Sequence, residues 1–297
     1  MPELPEVETI ARTLAPRIVG SSITSVYVLR CASLAAGAAL LPSLAKARIR
    51  QVARRGKLLV LCLDRDRDAD AVPIPVPGLP PASLYLVFHL RMTGSFFVHP
   101  PGTAALKHTR LIFDLEKSDS ENTAACGRLF FDDIRTFGYC RVMLPKDFTA
   151  WGFFTSLGLE PLSAGNEDIA QTLGRGRGNI KAALLDQCRL AGIGNIYADE
   201  ALFQAKIAPQ AKTSALSRNA LLRLAASLKA VLEQAVRECG SSIRNYRDAA
   251  GDVGSFQNNF MVYGRKGEKC RRCGNTLLHS IVAGRTTIHC PCCQNLP

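Results

Sequence analysis

Two Cys-x2-Cys pairs near the end of the chain constrain its fold more than any other feature. "CRRC" supplies Cys270 and Cys273, "CPCC" supplies Cys290 and Cys293, and sixteen residues lie between them. At this spacing each turn presents two thiolates to one ion, and four thiolates complete a closed tetrahedral Zn2+ site. Such a site has no open position, so the ion folds a loop and performs no chemistry. Cys292 could replace Cys290 or Cys293 only with poorer spacing and is read as a bystander. His279 and His289 lie nearby, but the four-cysteine set is complete without them. The bland alternative, cysteines scattered through a core, fits the paired spacing poorly.

The compartment matters to this reading. The chain holds eleven cysteines, and its N-terminus carries acids and no long apolar core. It is therefore not a signal peptide, and a cytoplasmic, reducing location is expected, where clustered cysteines point to metal before disulfides. No run of 18 apolar residues suggests a membrane span. A length of 297 residues suits two domains with a small appendage, and 47% hydrophobic residues can fill ordinary cores. Lysine and arginine number 37 against 25 acids, a net charge of +12. That excess points to a polyanion, nucleic acid first and an acidic membrane surface second. Within the metal module, "AGRTTIHC" reads as a turn and strand carrying Arg285, a suitable DNA probe.

Along the chain, "SITSVYVL", "KLLVLCL", "SLYLVFHL", "TRLIFDL" and "GRLFFDD" are short β-rich runs between about Ser22 and Leu144. They predict a sandwich or flattened barrel. Two polar or proline-rich segments, 64–83 and 116–126, read as mobile surface loops. After about Pro145 the pattern turns helical. "ALSRNALLRLAASLKAVLEQAVREC" places Leu221, Leu224, Leu228, Val231 and Ala235 on one face, with Gly240 as a stop. No internal repeat is visible. The expected division is a β domain with an N-terminal helix over 1–146, a linker over 147–165, a helical domain over 166–254 and a zinc module over 255–297.

"LAGIGNIYADEALF" puts Gly192 and Gly194 just before a helix starting near Asn195. Glycines there let backbone N–H groups approach an anion at a helix N-terminus, with Asn195 as cap and donor. A merely structural tight turn is the competing reading. Upstream, "GRGRGNIK" adds Arg175, Arg177 and Lys181, which suit phosphates better than a core. At the other end, "MPELPEVETI" starts a helix: Pro5 fits a first turn, Glu6 favours its positive end, and Val7, Ile10 and Leu14 make an apolar face. That leaves Pro2 and Glu3 unexplained.

The motifs "MPELPEVET", "HLRMTGS", "KHTR", "FDDIRTFG", "LGLEPL", "LLDQ", "GIGNIYADE", "FQNNFMVYGRKGEKCRRCG" and "GRTTIHCPCCQ" run in order from residue 2 to residue 294. Together they resemble the formamidopyrimidine-DNA glycosylase family. The resemblance implies an α+β multidomain chain: an N-terminal β-sandwich with an N-terminal helix, a central helix–two-turns–helix domain and a C-terminal four-cysteine zinc finger. It implies an enzyme that removes oxidised purines such as 8-oxoguanine and formamidopyrimidines from duplex DNA. The abasic site is then cut by β,δ-elimination. The partner expected is damaged duplex DNA, and the chain is expected to act as a monomer.

On this resemblance Pro2, freed by removal of Met1, is the nucleophile. An α-amino group has a pKa of about 7.7–8.0, and a nearby helix N-terminus lowers it further. Attack at C1′ by a secondary amine gives a fixed iminium, an electron sink for elimination. Glu3 serves as acid and base. Lys57 reaches the phosphate beside the lesion, or the base, and Glu6 faces the extruded base or merely starts the helix. Met92, Arg135 and Phe137 fill the gap left by the flipped nucleotide, although Met92 and Phe137 also suit a core. His108, Arg135, Lys181, Asn195 and Arg285 hold phosphates and bend the DNA, Arg285 being placed also with the catalytic group. Arg175, Arg177 and Tyr263 join the DNA-binding set, and 241–257 reads as a mobile loop closing over the base. Two departures stand out: the segments 64–83 and 116–126 lengthen loops that are usually short, and Arg110 replaces a second histidine in "KHTR". Two other readings compete. An oxidised-pyrimidine glycosylase resembling endonuclease VIII is disfavoured by "LPEVE" and "FQNNFMVYG". A non-catalytic zinc-dependent DNA-binding protein would have no requirement for Pro2, and retention of Met1 would support that reading.

Overall fold

The computed structural model describes residues 1–65, 75–119, 122–242, 247, 249 and 251–295. The chain divides into two compact units. The first comprises Met1–Pro2, Glu6–Thr155 and Ser242–Gly254, and the second comprises Glu3–Pro5, Ser156–Ser241 and Ser255–Pro297.

In the first unit, α1 (Leu4–Ile18) presents Val7, Ile10, Leu14 and Ile18 to the core. Nine strands follow: β1 (Ser22–Val28), β2 (Leu34–Ala36), β3 (Arg48–Arg55), β4 (Leu58–Asp64), β5 (Leu84–His89), β6 (Gly94–His99), β7 (Thr109–Asp119), β8 (Asn122–Asp133) and β9 (Tyr139–Met143). They pair in the order β2-β9-β5-β4-β3-β1-β7-β8-β6. All neighbours are antiparallel except β2 and β9. β5 and β6 stand six places apart in this order, yet the rings of Phe88 and Phe96 meet edge to face at 4.8 Å. The sheet therefore folds over itself, and its two halves enclose one core, the flattened sandwich expected from the short strands. β4 and β5 are buried on both faces. Their outer side packs on Phe148, whose ring meets Tyr85 at 5.1 Å. Phe148 belongs to α2 (Asp147–Ala150), which continues into α3 (Gly152–Thr155). Residues 147–155, expected as linker, are thus part of the first unit because their aromatics complete its outer layer.

The segment 116–126 is not a loop. It lengthens the β7–β8 hairpin, with Lys117 opposite Ala124 and Asp119 opposite Asn122; residues 120 and 121 lie outside the described residues. A bulge between Leu115 and Glu116 marks the departure. There Gly127 has φ +148°, and a Cβ on it would lie 2.7 Å from the carbonyl oxygen of His99, so only glycine fits. Polar composition misled here, because a ladder closes backbone hydrogen bonds whatever its side chains. Of the 64–83 segment, residues 66–74 lie outside the described residues, while its return is pinned: Val76 is buried and the Tyr85 hydroxyl donates to the Pro80 carbonyl at 2.9 Å. Of 241–257, residues 243–246, 248 and 250 lie outside the described residues; Ala249 is buried, its N–H on Thr13 Oγ1 at 3.3 Å.

The second unit packs α4 (Asn166–Gly174), α5 (Ile180–Leu185), α6 (Asn195–Gln204) and α7 (Arg218–Arg237) around one core. α7 starts on a Ser217 cap accepting from the N–H of Ala220, and buries Leu221, Leu224, Leu228, Val231 and Ala235 as its periodicity predicts. α6 is buried nearly all round. The end of the chain forms a hairpin, β10 (Leu278–Val282) and β11 (Arg285–His289), whose small core includes Phe203 of α6 with Val262, Leu277 and Ile288. No helix among the described residues is long and apolar enough to cross a membrane.

Candidate active site

Each unit carries its own cluster of the residues singled out above. In the first, Pro2 is buried behind an exposed Met1, and Glu6 is buried in the first turn of α1. Lys57, also buried, follows Gly56 in the β3–β4 turn. That turn is tied to α1: Arg54 donates to Glu8 Oε2 and to the Gly56 carbonyl, both at 2.9 Å. Burial alone would raise the Glu8 carboxyl, but Arg54 and Arg12 hold it below the usual range.

Two further turns carry the expected gap fillers. Met92 lies between β5 and β6, and Arg135 and Phe137 lie between β8 and β9. Met92 is 38% and Phe137 54% exposed, so neither is a core residue. The Arg135 guanidinium stands 4.8 Å from the Phe137 ring centre. His108 is half-buried just ahead of β7. The departure at Arg110 has a local role, since its Nε donates to the Asp133 carbonyl at 2.9 Å.

In the second unit, Glu3 is buried against the start of α6. Its Oε1 accepts from the Ile196 N–H at 3.1 Å, and Leu4 N–H donates to the Gly192 carbonyl at 3.0 Å. Gly194 leaves room for this carboxyl: a Cβ there would stand 2.2 Å from the Glu3 carboxyl carbon and would displace it. The turn is held by Gln187, which accepts from Gly192 N–H at 2.9 Å and donates to the Leu185 and Ile193 carbonyls at 2.9 and 2.8 Å. So the glycine turn receives the beginning of the chain.

Arg175, Arg177 and Arg285 are exposed, as phosphate contacts must be, and Asn195 is half-buried with Nδ2 on the Thr286 carbonyl at 2.9 Å. Lys181 is a correction. Expected on phosphate, it is fully buried, with Nζ 2.6 Å from Asp199 Oδ1 and 2.6 Å from Thr287 Oγ1. With no exposed surface, and with Nζ also 3.4 Å from the Thr286 carbonyl, it fastens α5 to α6 and to β11 and presents no amine to solvent. Asp199 also accepts from Ile288 N–H at 3.3 Å. One residue on, Glu200 accepts from the N–H groups of Met261, Val262 and Tyr263, and so fixes the turn bearing Tyr263.

The four expected metal ligands converge. The sulfurs of Cys270, Cys273, Cys290 and Cys293 all lie within 4.8 Å of one another. Tetrahedral Zn–S bonds of about 2.3 Å put neighbouring sulfurs about 3.8 Å apart; the Cys270–Cys293 and Cys273–Cys290 pairs stand at 4.0 and 3.5 Å. Backbone N–H groups of Arg272 and Cys293 point at the sulfurs of Cys270 and Cys290, which favours thiolates. The set fits one structural Zn2+, and Cys292 is exposed outside it.

Sequence reasoning assigned no role to His89, Asp133, Gln187, Asp199 or Glu200. All five sit inside quoted motifs, but a buried anchor and an exposed contact look alike in one sequence. His89 is the clearest case: burial, then Arg91 and Lys57 beside it, push its imidazole down to about 3, and its Nδ1 accepts from Arg91 N–H at 3.0 Å.

Residues 1–140 match the formamidopyrimidine-DNA glycosylase N-terminal domain and residues 157–247 the formamidopyrimidine-DNA glycosylase H2TH domain. The chain is similar to the formamidopyrimidine-DNA glycosylase of Nitratidesulfovibrio vulgaris, 52% identical over 211 residues, which is 71% of this chain and 56% of that protein. Similarity to the formamidopyrimidine-DNA glycosylase of Desulfitobacterium hafniense extends over 99% of this chain and 100% of that protein, at 35% identity. Among solved structures, a Lactococcus lactis FPG mutant in complex with Fapy-dG containing DNA is 33% identical with a TM-score of 0.83, covering 99% of this chain and 100% of that one. A complex of Lactococcus lactis Fpg with abasic-site DNA gives 33% identity and 0.82, covering 99% of each chain.

Proposed function

The chain belongs to the formamidopyrimidine-DNA glycosylase family, and on that premise we propose how its residues perform base excision repair. It is a bifunctional DNA glycosylase and abasic-site lyase for duplex DNA carrying oxidised purines. Residues 1–155 carry the chemistry, 156–165 link, 166–241 grip the duplex and 255–297 hold the zinc-supported probe. The protein acts as a monomer in the cytoplasm.

Removal of Met1 makes the Pro2 nitrogen a secondary amine. Its lone pair attacks C1′ as the C1′–base bond breaks and the base leaves with a proton; the nitrogen then loses its own proton and the C1′–O4′ bond opens, O4′ taking up a proton, which leaves an iminium between the nitrogen and C1′. The resulting iminium acidifies C2′, whose proton is lost as the 3′ phosphate departs; a second elimination releases the 5′ phosphate. Glu3 moves the protons at the sugar oxygen and leaving groups. Lys57 neutralises the neighbouring phosphate, and Glu6 meets the extruded base. Met92 and Phe137 fill the vacated stack while Arg135 pairs with the orphaned cytosine. His108, Asn195, Arg285, Arg175, Arg177 and Tyr263 hold the backbone. Zinc, held by the four cysteines, supplies only folding energy for the hairpin that carries Arg285.

The observation that carries this reading is Pro2 itself, buried two residues ahead of a fifteen-residue helix and directly behind an exposed Met1. Borohydride should trap a covalent adduct on duplex containing 8-oxoguanine opposite cytosine, and an N-terminal mass spectrum should show Met1 gone. Pro2→Gly should weaken trapping and a blocked N-terminus should abolish it. An adduct mapped to Lys57 would overturn the assignment.

A further inference from the structure

The residues proposed to enter the duplex lie on separate turns of the first unit, and one side chain joins them. Asp133, at the end of β8, is fully buried. Its Oδ1 accepts from the Thr93 hydroxyl and from the Arg135 N–H, the latter at 3.2 Å. Its Oδ2 accepts from the Gly138 N–H at 2.6 Å. Thr93 follows Met92 directly, and its Oγ1 also accepts from the Arg135 N–H at 3.0 Å. The Asp133 backbone extends the same knot, since its N–H donates to the His108 carbonyl at 2.9 Å and its carbonyl accepts from Arg110. One residue therefore touches the turn of Met92, the turn of Arg135 and Phe137, and the segment of His108.

A buried carboxylate is costly unless several donors meet it. Closing the β8–β9 turn alone takes only the bonds from the Arg135 and Gly138 N–H groups; the bond from Thr93 reaches the other turn. The cost becomes intelligible if the two turns must keep a fixed mutual spacing. The backbone between Arg135 and Phe137 has the same need: Thr136 has a φ of +57°, a left-handed residue that stays in place only when its neighbours are held.

We propose that Asp133 is a positioning residue for opposite-base recognition, and that Thr93 is its partner across the two turns. Neither touches DNA. Their bonds fix the distance between Met92 and the Arg135–Phe137 pair, so the three side chains enter one gap together and Arg135 meets cytosine at the correct height. This rests on the reading of Arg135 as the group that pairs with the orphaned base. A positioning error of about 1 Å costs on the order of a hundredfold in rate, and loss of one hydrogen bond to a charged group costs about tenfold or more.

The test uses the full-length zinc-loaded protein and single-turnover excision of 8-oxoguanine opposite each of the four bases. Asp133→Asn should reduce excision opposite cytosine about a hundredfold and bring the cytosine-to-adenine ratio close to one. Thr93→Val should have the same effect about tenfold more weakly, with thermal stability little changed, and Thr93→Ser, which keeps the hydroxyl, should restore both rate and ratio. Cleavage of a preformed abasic site, which has no base to extrude, should fall far less in each variant. If Asp133→Asn does not fold, the Thr93 pair decides alone. A Thr93→Val protein with an unchanged opposite-base ratio overturns the proposal. Arg135→Ala serves as the separate control: should it leave the ratio unchanged, the reading of Arg135 fails, whatever the Asp133 and Thr93 variants show.

Discussion

The ammonium of Lys181 lies 2.6 Å from the carboxylate of Asp199, and neither side chain has appreciable access to solvent. Burial raises Asp199 to about 6 while Lys181 opposes the rise, and burial lowers Lys181 while Asp199 opposes the fall. Each ion is tolerable only because the other is present.

Removing one member should therefore be expensive. Lys181→Met should destabilise the second unit by about 3–5 kcal/mol, and Lys181→Met with Asp199→Leu should recover much of that loss. Chemical denaturation followed by far-UV circular dichroism measures both. The salt dependence of DNA binding separates this from a phosphate contact. Arg285→Ala should lower the slope of log K against log salt by about one, whereas Lys181→Met, assayed where it is folded, should leave the slope unchanged. A slope reduced by Lys181→Met would mean the lysine leaves its pocket to meet DNA.

His89 gives a pH signature. Its folded value lies at about 3, pushed down first by burial and then by Arg91 and Lys57, whereas the unfolded value is about 6.5. A depressed value means that stability is fully present above about 6.5 and is lost as pH falls toward 3, because only the unfolded chain takes up the proton. The slope from this residue is about 1.4 kcal/mol per pH unit below 6.5. The unfolding free energies of the wild type and His89→Gln should therefore converge by about 2 kcal/mol between pH 7 and 5. Parallel curves would show that the imidazole titrates normally.

Zinc removal should separate the two cores. The first unit encloses its own hydrophobic cluster, and the hairpin cluster depends on Cys270 and Cys290 as well as on Phe203. Cys270→Ser or Cys293→Ser should lose the metal and most DNA affinity, while the β-sheet signal and its melting transition persist. Metal analysis and circular dichroism on the same samples check this. One zinc per chain retained in both variants would mean that the ligand set is wrong.

Much of the fold was legible because its signals are local. The periodicity of Leu221, Leu224, Leu228 and Val231 marks α7, the apolar runs mark β4 and β5, and the two cysteine pairs mark the metal site. Less legible was anything decided by a distant partner. Lys181 looks like a phosphate ligand until Asp199 and Thr287 are brought to it across the fold. Met92 and Phe137 look like core until their turns place them outside. Asp133 shows the same limit from the opposite direction. An acid next to Asp132 in a strand gives no hint that three segments will converge on its carboxylate. The 116–126 stretch was misread because hydropathy reports side chains, whereas a hairpin is closed by backbone groups.

That hairpin has a consequence for how the protein tolerates change. Beyond the bulge at Gly127 the two strands advance in matched steps, Glu116 with Ala125, then Lys117 with Ala124, Ser118 with Thr123 and Asp119 with Asn122. Adding or deleting one residue on each side at the tip moves it outward or inward by one rung and leaves the register of every rung nearer the sheet untouched, since pairing propagates from the base of the hairpin. Length can vary here over evolutionary time without a single compensating substitution in the interior. The same property makes the outer rungs a natural graft point for a fluorophore or a peptide tag, one that reports on the protein without being felt by its core.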